Sequence, residues 1–313
     1  MSEIELRDVA KRYGTVTALD GVSLSVDRGE TFGLIGRNGA GKTTLFKMLV
    51  GHATPDAGSV SVGGLSPNAG TALRERVGYL PEQAGFPPSF TGREVLDFHA
   101  RVRDVPGDVR AERVQQVLQT VGLADAADRR VGGYSNGMNR RLGLATTLVG
   151  NPSVLLLDEP TAGLDPAGVA DFHEIVETLS RETAVTIVVT SHVLSEIERL
   201  CDRVAILDEG TVTVEGDVAD LRRAAGERVS VVATVEDAES AADYLADSAG
   251  VVAVAADPPQ LRLKCERAAV FDVLDDLRNA AEVADVEVAE PGLDAVFRDS
   301  VAPDRGLTGG ERR

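Results

Sequence analysis

One nine-residue stretch constrains the fold of this 313-residue chain more than any other feature. The run GRNGAGKTT, residues 36–44, follows the apolar run TFGLI and precedes the helical run LFKMLV. A strand, a glycine-rich turn and a helix in this order are the context in which the spacing of Gly36, Gly41, Lys42 and Thr43 binds phosphate groups. The sequence therefore predicts a phosphate-binding loop between a buried strand and the N-terminus of a helix.

Each residue type in this loop has a predicted task. The glycines let backbone N–H groups turn inward around the phosphates, Lys42 neutralises the charge of the β- and γ-phosphates, and the Thr43 hydroxyl ligates Mg²⁺. The alternative is a glycine-rich turn that binds nothing. The predicted ligands are the phosphates of a nucleotide and Mg²⁺, and the predicted nucleotide contacts in the loop are Gly36, Asn38, Gly39, Ala40, Gly41, Lys42, Thr43 and Thr44.

Two further apolar runs end in polar side chains suited to phosphate chemistry. In VLLLDEP, Asp158 is predicted to hold Mg²⁺ through water and Glu159 to polarise the attacking water. In VVTSH, His192 is placed to contact the γ-phosphate, although a histidine at such a position is often a helix cap or a packed ring. We therefore predict Glu159, His192 and Lys42 as the catalytic residues.

The segment YSNGMNRR, residues 134–141, contains no histidine, acid or cysteine and precedes an apolar helical stretch. Ser135 and Gly137 just before a helix suit an N-terminus that holds an anion, because the first turn has free N–H groups and the helix dipole favours negative charge. These residues alone leave open whose phosphate they hold.

The first predicted domain, residues 1–217, alternates short aliphatic runs with helical patterns, which favours a largely parallel sheet covered by helices. The strands are predicted at residues 23–26, 31–35, 59–62, 77–80, 154–157, 185–189 and 204–207. Between about residues 84 and 150 the pattern predicts a helical insertion, with helices at 92–105, 109–121 and 138–149.

A second domain is predicted after a linker helix at residues 218–228. Residues 229–301 have the β-α-β-β-α-β pattern of a ferredoxin-like domain, followed by a short helix at 292–301, and residues 302–313 have the composition of a disordered tail. Acidic residues also become more dominant: 18 acidic against 8 basic residues follow Arg228, within totals of 50 and 32.

Charge and composition exclude several classes of protein. A net charge of -18 is expected to repel nucleic acid and anionic lipid, and it favours a halophilic source over an ordinary acidic cytoplasmic protein. No run approaches the roughly 20 apolar residues that span a bilayer. Cys201 and Cys265 are too few for a disulfide framework and are expected to be reduced and buried.

The runs GRNGAGKTT, YSNGM, LLLDEP, AGLDP and TSH, taken in this order over roughly residues 2–217, resemble the nucleotide-binding subunits of ABC transporters. The resemblance implies an α/β P-loop NTPase core of the ABC ATPase type with a helical insertion, to which the small C-terminal α/β domain is added. It also implies ATP hydrolysis coupled to transport by two copies that enclose two ATP. In that arrangement Ser135 and Gly137 hold the γ-phosphate of the ATP bound to the partner copy.

The same resemblance implies further site residues. Tyr13 in RYGTVTALD matches the aromatic that stacks on adenine, with a core tyrosine as the alternative. Asp165 in GLDP matches the loop that links the two sites across the dimer. The metal-water contact falls to Glu82 or Gln83, because GYLPEQ has Glu82 where the family usually has glutamine.

Partners enter only through the resemblance. It implies a separate transmembrane permease subunit, whose coupling helix meets residues 82–98, so the chain is expected to be cytoplasmic and peripheral on the cytoplasmic face of the cell membrane. An apolar cleft for that helix is predicted from Phe86, Pro87, Pro88 and Phe90, with loop packing as the alternative.

The subgroup and the competing functions are also expectations. Stretches such as EPGLDAVFRDS are similar to the NosF-type ATPase of copper-processing transporters that serve nitrous oxide reductase maturation, and similar stretches occur in ABC-2 exporters. A soluble ABC-type ATPase of translation or DNA repair is the main alternative, which the acidity disfavours. A third possibility is a regulatory module in which the C-terminal domain binds a metal or a small ligand. A metal site is disfavoured, because Cys265 is the only thiol of that domain and no histidine follows Leu200.

Overall fold

The computed structural model describes residues 2–225 and 228–289, together with Leu293 and Val296. The chain divides into two compact units, Met1–Gly216 and Asp217–Arg313, and each contains a cluster of buried apolar side chains. Apart from Leu293 and Val296, the helix predicted at 292–301 and the tail predicted at 302–313 lie outside the described residues, as do residues 226 and 227 of the predicted linker.

The first unit is built on a six-stranded sheet and a smaller three-stranded sheet. Its strands are β1 (Ser2–Tyr13), β2 (Val16–Asp27), β3 (Thr31–Ile35), β4 (Ala57–Val62), β5 (Val77–Leu80), β6 (Val154–Asp158), β7 (Thr186–Thr190), β8 (Arg203–Asp208) and β9 (Thr211–Asp217).

The larger sheet has the order β5-β6-β7-β3-β8-β9, and the strands from β5 to β8 in this order run parallel. Strands β3, β6 and β7 are buried at every position, as is typical of central strands in a parallel sheet. Because the carboxyl ends of parallel strands meet at one edge, the loops that follow β3, β5, β6 and β7 converge there.

The smaller sheet has the order β2-β1-β4 and is antiparallel. The prediction that grouped residues 23–26 and 59–62 with the parallel sheet is wrong, because these residues lie in β2 and β4 of this second sheet. The sequence also failed to indicate its central strand, β1. In β2, buried Val22, Leu24 and Val26 alternate with exposed residues, which is the pattern of a sheet with one face on the core.

The helices of the first unit surround the sheets and form the insertion. They are α1 (Lys42–Leu49), α2 (Thr71–Arg76), α3 (Gly92–Val102), α4 (Gly107–Thr120), α5 (Asn136–Leu148), α6 (Pro166–Glu182) and α7 (Leu194–Leu200), with short 3-10 turns at Pro67–Ala69, Ala124–Ala126 and Val131–Gly133.

Helices α3, α4 and α5 pack on one another, and α5 also packs on β5. A capping box starts α3, in which the Thr91 hydroxyl accepts from Glu94 N at 3.2 Å and the Glu94 carboxylate accepts from Thr91 N at 2.8 Å. The contact of α5 with β5 requires a glycine at position 78, because a β-carbon there would lie 3.0 Å from Thr147 Cβ.

The second unit contains one four-stranded antiparallel sheet of order β11-β12-β10-β13. The element order is the β-α-β-β-α-β of a ferredoxin-like domain. Buried Val231, Leu261 and Leu277 belong to its core. Its elements are α8 (Val218–Ala225), β10 (Arg228–Val235), α9 (Ala238–Leu245), β11 (Val251–Asp257), β12 (Gln260–Glu266), a 3-10 turn at Arg267–Ala269, α10 (Val270–Ala280) and β13 (Val283–Ala289).

Candidate functional site

The phosphate loop connects the end of β3 to the start of α1. Gly39 and Gly41 adopt φ angles of 88° and 111°, a region that favours glycine. A β-carbon on Gly41 would lie 2.5 Å from the carbonyl oxygen of Ala18 in β2, and one on Gly36 would clash with the carbonyl oxygen of Leu207 in β8. The loop therefore passes so close to the neighbouring backbone that only glycine fits at these positions.

Lys42 is the buried cation of this loop. Its Nζ donates to the carbonyl oxygens of Gly36 at 2.5 Å and Arg37 at 3.4 Å. Burial lowers the pKa of Lys42, and the carboxylates of Glu159 and Asp158 act in the opposite direction.

The other predicted loop residues differ in their exposure to solvent. Asn38, Gly39 and Thr43 are exposed, Thr44 is half-buried, and Ala40 is buried with its carbonyl oxygen accepting from Gly210 N at 3.1 Å.

Asp158, at the end of β6, is buried and held by the two flanking strands. Its Oδ1 accepts from Thr190 Oγ1 of β7 at 2.8 Å, and its Oδ2 accepts from Tyr79 OH of β5 at 3.1 Å. Burial raises the pKa of Tyr79, as does the neighbouring Asp158, so the phenol remains a donor. The carboxylate is thereby fixed in one orientation at the edge of the sheet.

Glu159 and His192 form a pair at the same edge. Glu159 has a φ of 43°, and its N–H donates to Thr190 O at 3.2 Å and to Thr190 Oγ1 at 3.0 Å. Its Oε2 lies 2.7 Å from His192 Nδ1 and accepts from His192 N at 3.3 Å. The His192 side chain is 68% exposed and that of Glu159 is 14% exposed, so the ring reaches into solvent while the carboxylate is largely buried.

Ser135, Gly137 and Asp165 lie at the adjoining N-termini of α5 and α6. Ser135 caps α5 by accepting from Met138 N at 3.2 Å, and Asp165 caps α6 by accepting from Gly168 N at 2.7 Å. A β-carbon on Gly137 would lie 3.8 Å from Gly168 Cα, and its neighbours within 4 Å include no residue of the phosphate loop. Within one chain the structure therefore joins the starts of α5 and α6.

The two remaining predicted positions differ in their surroundings. Glu82 and Gln83 are both exposed, and the Glu82 carboxylate lies close enough to Tyr79 to contribute to raising its pKa, after burial and Asp158. Tyr13 is 48% exposed at the tip of the β1–β2 hairpin, with Lys11 Nζ 5.6 Å from its ring centroid. The alternative of a core tyrosine is therefore wrong.

Arg140 of α5 is a buried residue of this site that the sequence did not indicate. An arginine in a polar helix start predicts a solvated side chain, yet this one is 7% exposed. Its guanidinium donates to five backbone carbonyl oxygens: Pro81 at 2.6 Å, Glu82 at 2.9 Å, Asp158 at 2.8 Å, Glu159 at 3.0 Å and Pro160 at 2.5 Å.

A buried carboxylate behind the Glu159–His192 pair was also missed. Glu196 of α7 accepts from Thr161 Oγ1 at 2.7 and 2.8 Å and from Ser191 Oγ at 2.9 Å. These partners belong to the loops that follow β6 and β7, so the network connects both loops. His173 of α6 lies 4.0 Å from the same carboxylate.

The arrangement brings together the parts needed for phosphate chemistry. The backbone amides of the loop and the buried Lys42 ammonium suit a polyphosphate. The Asp158 carboxylate and the Thr43 hydroxyl suit Mg²⁺, and the Glu159 carboxylate suits the activation of water. The residues present fit both predicted ligands.

The chain is similar to known proteins over most of its length. A family model described as ABC transporter matches residues 19–162. Nod factor export ATP-binding protein I of Burkholderia orbicola (strain AU 1054) is 43% identical over 217 residues, covering 69% of this chain and 71% of that protein. Linearmycin resistance ATP-binding protein LnrL of Bacillus subtilis (strain 168) is 36% identical over 219 residues, covering 70% of each.

The fold is also similar to that of a solved structure. A structure described as the ATP binding subunit of an ABC transporter superimposes with a TM-score of 0.64 at 29% identity, covering 71% of this chain and 93% of that one.

Proposed function

The chain belongs to the ATP-binding subunits of ABC transporters, and from this membership we propose that two copies close around two Mg-ATP to drive separate transmembrane subunits. Members of the family are ATPases, so each proposed role concerns a step of ATP binding, hydrolysis or coupling.

Glu159 is the proposed general base, which accepts a proton from the attacking water. His192 orients it through the 2.7 Å contact with Oε2. Lys42 neutralises charge on the β- and γ-phosphates, and Thr43 and Asp158 would hold Mg²⁺, which supplies further charge neutralisation. Glu82 is favoured over Gln83 for the metal-water contact because its carboxylate lies near Tyr79, the donor to Asp158.

One observation carries the dimer proposal. Ser135 and Gly137 start a 13-residue helix beside Gly168, with no phosphate-loop residue among the near neighbours of Gly137. A helix N-terminus with a hydroxyl and a glycine is suited to a phosphate group. A second copy that presents this surface to the phosphate loop of the first would complete the site, and Tyr13 would stack on the adenine.

The proposed docking surface for a membrane subunit lies on the helical insertion. Phe98 and Val102 of α3 are 56% and 64% exposed, and the Phe98 and Phe86 rings flank His99 at centroid distances of 5.7 and 6.3 Å. Beside Val102 is a cavity of about 340 Å³ that is also lined by Tyr79. Among the described residues no helix is long and apolar enough to cross a bilayer. From the membership of the transporter family, the proposed occupant is a short amphipathic helix of a separate permease chain.

The proposed direction of transport rests on the named relatives. These are named for Nod factor export and linearmycin resistance, which supports export as the proposed direction. The copper-processing subgroup that the sequence resembles stays a narrower proposal, to be decided by the partner that this chain binds.

The proposal is tested with Glu159→Gln. We expect hydrolysis to fall by about 10²- to 10⁴-fold and an ATP-bound dimer to accumulate on size-exclusion chromatography. Lys42→Ala is the matched control and is expected to remain monomeric, because it loses phosphate binding. Wild-type hydrolysis by Glu159→Gln would overturn the role assigned to this residue.

The coupling is tested by capturing tagged Glu159→Gln from native membranes in ATP and concentrated salt. Co-purification of a multi-span membrane protein is the expected result, and mass identification of that protein also tests the copper-processing proposal. Recovery of ribosomes or DNA-repair proteins would favour the soluble alternative.

A further inference from the structure

The Arg140 side chain donates all of its N–H groups to backbone carbonyls of two segments, residues 81–82 and residues 158–160. A guanidinium has five N–H groups, and the structure gives Arg140 five backbone carbonyl partners. Two partners, Pro81 and Glu82, follow β5, and three, at residues 158–160, lie at the end of β6 and just beyond it. The side chain therefore ties both loops to α5.

The burial of this charge requires all five contacts. An unpaired buried charge is strongly destabilising, so a guanidinium is tolerated in such a place only when its donors are satisfied. Burial lowers the pKa of Arg140 to about 10, with Asp158 and Glu82 acting in the opposite direction, and the group stays charged at neutral pH. A lysine could not replace it, because three donors on one nitrogen cannot reach carbonyls on both loops.

Three of the five carbonyls that Arg140 contacts belong to Glu82, Asp158 and Glu159, which have proposed roles. Glu159 has a φ of 43°, which an L-residue adopts only when its surroundings enforce it. Its N–H is held from β7 by Thr190, and its carbonyl is held from α5 by Arg140 at 3.0 Å. The backbone of the proposed base is thus fixed from both sides.

We propose that Arg140 is a positioning residue for ATP hydrolysis, which holds the Glu159 backbone and the Pro81–Glu82 loop in the arrangement that presents the Glu159 carboxylate to water. This inference rests on the proposed role of Glu159. It assigns a function to a side chain whose hydrogen bonds go to neither the phosphate loop nor His192 and which acts only through the backbone.

Arg113 of α4 provides a matched control. It is a half-buried arginine that also donates to backbone carbonyls, to Leu148 at 2.6 Å and Val149 at 3.2 Å, but these lie at the C-terminal end of α5. Arg113→Met removes a smaller set of backbone contacts, which involve neither Glu159 nor the Pro81–Glu82 loop. If Arg140 only stabilises the fold, Arg140→Met should lower Tm and keep kcat, as Arg113→Met is expected to do.

The first experiment compares Arg140→Met, Arg140→Lys and Arg113→Met by Tm, kcat and KM for ATP. We expect Arg140→Met to lower kcat by about 10- to 100-fold, the effect of displacing a catalytic group by about 1 Å, with KM changed less than about threefold. Arg113→Met is expected to lower Tm but to keep kcat within about twofold of wild type. If Arg140→Met fails to fold, the same split in Arg140→Lys, with a smaller loss of kcat, supports the inference. Wild-type kcat in a folded Arg140 variant overturns it.

The second experiment is a double-mutant cycle with Glu159→Gln, measured in single turnovers. If Arg140 acts through Glu159, Arg140→Met should lower the residual rate of Glu159→Gln by less than about threefold, because the group it positions is already absent. An equal loss in both backgrounds would overturn the inference. A failure of the proposed function is distinguishable, since Glu159→Gln alone would then retain the wild-type rate.

Discussion

At the scale of a single residue, His173 is expected to make the folded chain less stable in acid. It is 4% exposed, and its Nε2 has no hydrogen-bond partner among the described residues. Burial lowers the pKa of His173, Glu196 and Glu177 act against this, and Arg199 adds to it. Below pH 6.5 the unfolded chain therefore binds a proton that the folded chain does not, and stability falls.

We expect the free energy of unfolding to decline by up to about 1.4 kcal/mol per pH unit from this residue, between pH of about 6.5 and its lower folded-state pKa. His173→Phe keeps a ring in place but cannot titrate, so its decline should be shallower, as urea unfolding at pH of about 7.5 and about 5.5 will show. The pKa of His99 is also lowered by burial and then by Arg103, so part of the decline should persist. Equal pH slopes in the two proteins would contradict the prediction.

Single residues also mark the limit of what the sequence predicts. Lys42 is predicted from the spacing of the glycine-rich loop, and Asp158 and Glu159 are predicted because they lie at or just beyond the end of a buried strand, where strand ends converge at one edge of the sheet. Arg140 has no such signal, since its five partners are backbone carbonyls from two loops at least 18 residues away along the chain. Only the tertiary packing of α5 brings them to it.

At the scale of elements, the contact between α5 and β5 determines where Ser135 and Arg140 lie. A β-carbon on Gly78 of β5 would lie 3.0 Å from Thr147 Cβ of α5 and 2.8 Å from Leu155 Cδ2 of β6. The strand can carry no side chain there without moving the helix.

We expect Gly78→Val to destabilise the chain by about 1–3 kcal/mol through overpacking and to lower hydrolysis, because a displaced α5 moves Arg140. Gly107→Ala is the control, since a β-carbon on Gly107 in the first turn of α4 meets nothing within 4 Å. It should raise stability by about 0.4–1 kcal/mol and leave hydrolysis unchanged. Thermal unfolding and ATPase assays measure both, and full activity in a stable Gly78→Val protein would speak against the coupling of this contact to the site.

The predicted strand bounds match the structure for parallel strands that are buried on both faces of the sheet. Thr31–Ile35 and Val77–Leu80 match β3 and β5 because a parallel strand buried on both faces is a continuous apolar run. Strand β1 escaped notice because its run SEIELRDVAKRY mixes charges with apolar residues and is interrupted by register shifts at Leu6–Val9 and Val9–Lys11.

At the scale of the whole molecule, the charge of -18 is the dominant electrostatic property. Like charges repel more strongly in the compact chain than in the unfolded one, and salt screens this repulsion within a Debye length of about 10 Å at 0.1 M and about 3 Å at 1 M. We expect Tm to rise when KCl is increased from about 0.1 to about 2 M. Scanning calorimetry measures this shift, and an equal concentration of a neutral solute is the control. A Tm that falls with KCl would show that exposed ion pairs outweigh the net charge.

The burial of both cysteines has a practical consequence for spectroscopy. Cys201 and Cys265 are 8% and 0% exposed, and burial raises the pKa of both thiols, so neither should react with maleimides or methanethiosulfonates in the folded chain. A cysteine placed at Val16, which is 63% exposed at the hairpin tip beside Tyr13, would then be the accessible thiol. A spin label there would turn the approach of two copies into a distance distribution, recorded in the otherwise natural chain with and without ATP.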